Sequence, residues 1–170
     1  MQSKDFVIPV YASGFFNFSS DGQVTQFTTF YYLDRRGYYL SLGKRRLKEE
    51  LKTIKNNLQA IIDEEEIRIN GKRVRAYVKW VKIKLLDPHH PMIEFIITFT
   101  GSLKKGINEY YNTYEEEIAE YPYEALWILP GRIIKVDMAG EAEVRENILR
   151  LKVNKGTRVG GKEGIRFLIT

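Results

Sequence analysis

Apolar and polar residues alternate through much of the chain. In 92–100, Ile93, Phe95, Ile97 and Phe99 fall on one face, with Glu94, Thr98 and Thr100 opposite. Leu149, Leu151 and Val153 alternate with Arg150 and Lys152, and Ile165, Phe167 and Ile169 share a face. Successive side chains on an extended strand point to opposite sides, so each run predicts a strand with one buried and one wet face. Turn signals separate the runs: Asp21-Gly22, Asp34-Arg35-Arg36-Gly37, Asn70-Gly71, Asp87 to Pro91, Pro130-Gly131 and Asn154-Lys155-Gly156. Asx-Gly pairs supply the positive φ that tight hairpins need, and the predicted arrangement is an antiparallel meander.

One segment has a different period. Leu47, Leu51, Ile54, Leu58, Ile61 and Ile62 recur mostly at steps of three and four, without an intervening proline or glycine. That spacing puts them on one stripe of an amphipathic helix over about 44–63. A helix of about 20 residues is about 30 Å long, enough to lie across a sheet. The predicted fold class is therefore α+β, predominantly antiparallel β: a twisted meander sheet or partly closed barrel with the helix packed across it. Two smaller sheets in a sandwich, bridged by the helix, are the alternative. No linker, low-complexity tract or internal repeat divides the chain, and residues 1–170 are expected to form a single domain.

Composition agrees with a β-rich globular chain. Hydrophobic residues make up 44% and aromatics 13%, with 11 Tyr and 9 Phe against 2 Trp. Cysteine is absent, which excludes disulfides, thiolate metal sites and thiol nucleophiles. Few Gln and Met beside abundant Lys, Glu and Ile point towards a thermophilic source. Residues 1–10 are too short and interrupted for a signal peptide, and no apolar run reaches about 18 residues, so no membrane span is expected. A soluble, cytoplasmic chain is the expectation, although a soluble piece of a longer anchored protein would share this pattern.

The apparent motifs fail in their context. Gly156-Thr157-Arg158-Val159-Gly160-Gly161-Lys162 spells G-x-x-x-x-G-K, but Glu163 replaces the Ser or Thr of a P-loop, and the residues that follow alternate as a strand. A hairpin loop is expected there. His89 and His90, the two histidines, sit beside Asp87 in a proline-flanked turn, and a metal site needs three or four convergent ligands. No Gly-x-Ser-x-Gly elbow is present. The carboxylate runs Asp63–Glu66 and Glu115–Glu117 could act as paired acids only if they faced each other across a cleft, and are read as solvated faces. No catalytic residue, cofactor or metal is assigned, and enzymatic activity is not expected.

Two surfaces carry function hypotheses. Between Arg68 and Lys84 stand seven cations and no acid. Val74, Ala76, Val78 and Trp80 are predicted inward, then Val81, Ile83 and Leu85, with a β-bulge where the phase flips at Trp80-Val81. Arg73, Arg75, Tyr77, Lys79, Lys82 and Lys84 would then share one face of a long strand. With a net charge of +5, and with Arg45 and Arg46 at the helix start, this stripe could follow a polyanion or nucleic-acid backbone. Cross-strand pairing with the Glu-rich run near 115–120 would instead neutralise it. The second surface is Tyr110, Tyr111, Tyr114, Tyr121, Tyr123 and Trp127, an aromatic cluster suited to a protein partner, to self-association or to an apolar ligand.

A non-enzymatic binding domain using the aromatic cluster is thus the leading expectation, and polyanion binding the alternative. The order of strand pairs, helix and later meander, with Leu129-Pro130-Gly131 opening one strand and Asn147 another, resembles small envelope-lipoprotein domains. That likeness lies in turn residues and implies no function.

Overall fold

The computed structural model describes residues 6–170. The first alternating segments form β1 (Val7–Phe18) and β2 (Gln23–Asp34), joined at the Asp21 turn, where the Asp21 carboxylate accepts the Gln23 N–H at 3.0 Å. A short helical turn, α1 (Tyr38–Ser41), leads into the long helix α2 (Lys44–Glu64). The hairpin β3 (Glu66–Ile69) and β4 (Lys72–Val74) follows, turned at Asn70-Gly71, and then the long pair β5 (Tyr77–Asp87) and β6 (His90–Thr100). The remainder is β7 (Gly106–Ile118), β8 (Tyr123–Ile128), β9 (Arg132–Asp137), β10 (Glu141–Arg145), β11 (Ile148–Val153) and β12 (Arg158–Ile169).

The chain is an α+β protein of predominantly antiparallel β structure. Its strands make two open sheets instead of one twisted meander or a partly closed barrel: seven strands in the order β10-β11-β8-β1-β2-β6-β5, and five in the order β4-β3-β7-β12-β9. One pairing, β1 with β8, is parallel. Much of the predicted inward set is inward, although Leu85, expected beside Ile83, is 39% exposed and Ile169 is half-buried. Ile93, Phe95, Ile97 and Phe99 of β6, Leu149, Leu151 and Val153 of β11, and Ile165 and Phe167 of β12 are all buried.

The sheets meet through aromatic side chains. Phe18 of β1 lies with its ring centroid 5.3 Å from Tyr110 of β7, 6.2 Å from Phe167 of β12, 6.1 Å from Trp127 of β8 and 6.1 Å from Phe99 of β6. Most of these pairs are edge-on, the arrangement the ring quadrupole favours. Burying apolar surface from both inner faces is what holds the two sheets against each other.

Helix α2 forms on its apolar stripe, with no help from its ends: Gly43 offers no side-chain cap, and its first turn holds no acid. Leu47, Leu51, Ile54 and Leu58 are half-buried and Ile62 is buried, whereas Ile61, expected in the packed stripe, is 57% exposed. The helix packs along β5, the edge of the larger sheet, instead of covering a whole face. There the Gln59 amide imitates a missing strand. The Val78 N–H donates to Gln59 Oε1 at 2.8 Å, and Gln59 Nε2 donates to the Ala76 carbonyl at 3.0 Å. Gln59→Ala leaves both edge groups without these bonds and is expected to cost about 1–3 kcal/mol in urea denaturation. A change of only a few tenths would show that water replaces the amide at no cost.

Two local expectations are corrected. The phase flip in β5 is at Lys79, the extra residue between Val78 and Trp80, so Trp80 lies outward at 40% exposure. The Gly156–Lys162 segment is not simply a loop: β12 begins at Arg158 and carries a bulge between Val159 and Gly161 against β7. At Gly160, φ is +97° and a Cβ would stand 2.4 Å from the Glu115 carbonyl oxygen, so this bulge requires glycine.

Candidate functional site

Beyond the aromatic contact the inner faces do not fill the space between them. Gly14 of β1 stands level with Thr28 of β2 and Ala125 of β8, and Ala12 lies one step along the same face. These small side chains leave a cavity of about 560 Å³ between the sheets, within the range of small-molecule sites. A Cβ on Gly14 would lie 3.2 Å from the Phe16 ring, 3.5 Å from Thr28 Oγ1 and 3.9 Å from Ala125 Cβ.

Aromatic and aliphatic groups make most of the wall. Phe16 stacks on Trp127 with centroids 3.6 Å apart, and Tyr110, Phe99 and Phe95 continue the surface. Ile61 and Ile62 of α2 also line the cavity, which explains the exposed Ile61. Tyr121 and Tyr123 stand near the start of β8.

The five-stranded sheet adds a polar group to this apolar wall. Asn112 and Glu163 are opposite each other on β7 and β12. Asn112 Nδ2 donates to Glu65 Oε2 at 2.7 Å, and the Tyr114 hydroxyl donates to Glu163 Oε2 at 3.0 Å. The Gly160 N–H at the bulge donates to the other Glu163 oxygen at 3.3 Å. Glu117 lies at the exposed side of the same cluster.

Burial raises the Glu65 carboxyl above its ordinary range and the Glu117 charge adds to the rise, while the Asn112 hydrogen bond opposes it. Tyr110 and Tyr114 are raised by burial and by the negative charges of Glu65 and Glu163. Tyr123 is pushed up to about 12 by burial, then by Glu163. The phenols therefore stay neutral through the ordinary pH range.

Two buried side-chain atoms among the described residues have no hydrogen-bond partner, Asn112 Oδ1 and Trp127 Nε1, and both residues line this cavity. Buried polar atoms are nearly always paired, so an orphan acceptor and an orphan donor in one cavity mark a place where a ligand can bond.

The aromatic cluster proposed from sequence thus largely converges. Tyr110, Tyr114, Tyr121, Tyr123 and Trp127 line the cavity; Tyr111 faces away, its ring 4.2 Å from Lys162 Nζ. The carboxylate runs, read as solvated faces, are corrected at Glu65 and Glu117, which reach the cavity. Asn112 and Glu163 went unseen as site residues. The period-two spacing of Tyr110, Asn112 and Tyr114 was the available signal, since it sets an amide on an aromatic face.

The basic stripe does not form as one strand. Arg73 lies on β4 in the smaller sheet, paired opposite Arg68, and Arg75 falls between β4 and β5, where it bonds both carboxylate oxygens of Asp63. Tyr77, Lys82 and Lys84 share the outer face of β5, and Lys79 sits at the bulge with its ammonium 5.3 Å from the Tyr77 ring centroid. The partners are not the Glu-rich run: Lys84 pairs with Glu94 at 2.9 Å, and Glu116 pairs with Arg158. Arg45 and Arg46 are exposed in the first turn of α2, with Arg45 bridged to Glu49. At the other sequence candidate, His90 Nδ1 is 2.7 Å from Asp87 and His89 Nδ1 is 3.0 Å from the Asp34 carbonyl oxygen. Among the described residues no three His, Asp or Glu side chains are grouped to hold a metal, and no helix is long and apolar enough to cross a membrane.

No family model matches this chain, and no curated protein does. A solved structure of a candidate protease from Parabacteroides distasonis is similar over 98% of this chain, at 6% identity and a TM-score of 0.36. This chain spans 41% of that protein's length. At this identity and score the likeness supports no inference about activity.

Proposed function

We propose that this protein is a binding module for an apolar small molecule, held between the two sheets. The observation that carries the proposal is the cavity of about 560 Å³, walled by Phe16, Phe95, Phe99, Tyr110 and Trp127 and left open by Ala12, Gly14 and Ala125. An empty apolar space of this size forgoes the dispersion contacts that packed side chains would make. A ligand that fills it restores those contacts and removes apolar surface from water on both partners. Of the partners the aromatic cluster suggested, an apolar ligand suits a concave inner wall, whereas a protein partner or a second copy needs an outward surface.

Nile red, a neutral dye whose emission shifts in apolar surroundings, tests the proposal. Saturable binding with a blue shift is expected. Ala125→Leu places a larger side chain in the cavity beside Gly14 and is expected to weaken binding by roughly tenfold or more, with thermal stability unchanged or raised, because the added carbons occupy vacant volume. Unchanged affinity in Ala125→Leu, or no saturable binding by the wild-type chain, would overturn the assignment.

A further inference from the structure

Resting on that reading of the cavity, we infer that its ligand is an amphiphile with a cationic amine head, seated where Glu65, Asn112 and Glu163 converge. The first argument is charge. The chain carries a net +5, yet no Lys, Arg or His lines the cavity. Four carboxylates do, and only Glu124 has an ionic partner, Arg150 at 3.1 Å. Among the described residues Glu65, Glu117 and Glu163 have no salt bridge. Glu117 acts on the Glu65 carboxyl as a like charge with no counter-ion beside it, and a cation removes that cost.

The second argument is hydrogen-bond polarity. The Asn112 amide nitrogen is committed to the Glu65 carboxylate, which fixes the amide's orientation and leaves Oδ1 as the orphan acceptor. A primary ammonium offers three N–H donors and no acceptor, matching Asn112 Oδ1, the Glu65 carboxylate bonded to the same amide, and Glu163, the cross-strand partner of Asn112. A fatty-acid carboxylate would bring more acceptors and negative charge to a site already supplied with both.

Independent of the acids, Trp127 is 5% exposed and its indole N–H has no acceptor in the protein. This second unpartnered polar group marks the aromatic part of the cavity as a ligand position as well. Of the carboxylates Glu117 is exposed and Glu65 and Glu163 are half-buried, whereas Trp127, stacked on Phe16, is buried. An amphiphile therefore has room for an apolar tail among the rings and a charged head at the acids.

The experiment compares dodecylamine, dodecanol and dodecanoate by titration calorimetry at neutral pH, below their aggregation concentrations. Dodecylamine is expected to bind on the order of tenfold or more tighter than dodecanol, with dodecanoate weakest, the size of effect that charge-assisted hydrogen bonds give. In the double variant Glu65→Gln with Glu163→Gln, the amine should lose its advantage while dodecanol affinity holds, a control that the cavity is still folded. Dodecanol or dodecanoate binding as tightly as the amine, or an amine preference that survives the double variant, would overturn the head-group inference and leave the apolar cavity standing. Failure of all three to bind would overturn both.

Discussion

Phe18→Ala is expected to lower the free energy of unfolding by about 3–5 kcal/mol, the range for removing a buried aromatic ring. Phe18 is 3% exposed and is the ring that contacts Phe99, Tyr110, Trp127 and Phe167 together. Its removal costs transfer energy and also opens a void that two sheets cannot close without losing register. Most domains hold only about 5–15 kcal/mol in total, so the loss is a large share. Urea denaturation followed by tryptophan fluorescence measures it, since Trp127 is one of the contacts. A loss below about 1 kcal/mol would show that the sheets are held elsewhere.

Asn108→Leu is expected to do comparable damage by another route. Asn108 is fully buried and uses its whole amide: Oδ1 accepts from Asn70 Nδ2 at 2.8 Å and from the Lys104 N–H at 2.9 Å, and Nδ2 donates to the carbonyls of Lys104 at 2.7 Å and Gly106 at 3.1 Å. Leucine matches the volume and bonds to nothing. Each polar group left unpaired costs about 1–3 kcal/mol, so a loss of about 4 kcal/mol or more is expected. Asn108→Asp keeps the acceptor for Asn70 and Lys104 but sets a carboxylate oxygen against the Lys104 and Gly106 carbonyls, so it should lose stability as well. A leucine variant within about 1 kcal/mol of wild type would mean that water reaches the site.

The sequence shows the elements well and their partners poorly. β6, β11 and β12 are legible because strict alternation follows from a single buried face, and α2 because its stripe has the helical period. The division into two sheets is invisible to periodicity, since the same alternation serves any neighbour. The cations between 68 and 84 illustrate the failure: Asn70-Gly71 was recognised as a turn, yet only pairing partners show that Arg73 belongs to one sheet and Lys82 to another. The aromatic part of the site was legible as a cluster of Tyr and Trp. Its polar part was not, because Glu65, Asn112, Glu117 and Glu163 are scattered in sequence, and Glu65 and Glu117 sit inside charge runs that look solvated. The cavity itself is made by what is missing at Ala12, Gly14 and Ala125, and small residues announce nothing in a hydrophobic pattern.

The parallel pairing of β1 with β8 sets the order in which the molecule can be assembled. Ala12 lies beside Tyr123 and Asn17 beside Ile128, so β1, near the middle of the larger sheet, completes its ladder only after the elements from β2 to β8 have been made. Until then the hairpin of β1 and β2 keeps an open edge. Such long-range closure pays its loop entropy before the contacts form, which places folding in the slow, millisecond-to-second regime of β-rich topologies. The β1 edge is thus exposed to mispairing from the time the first hairpin forms until β8 arrives.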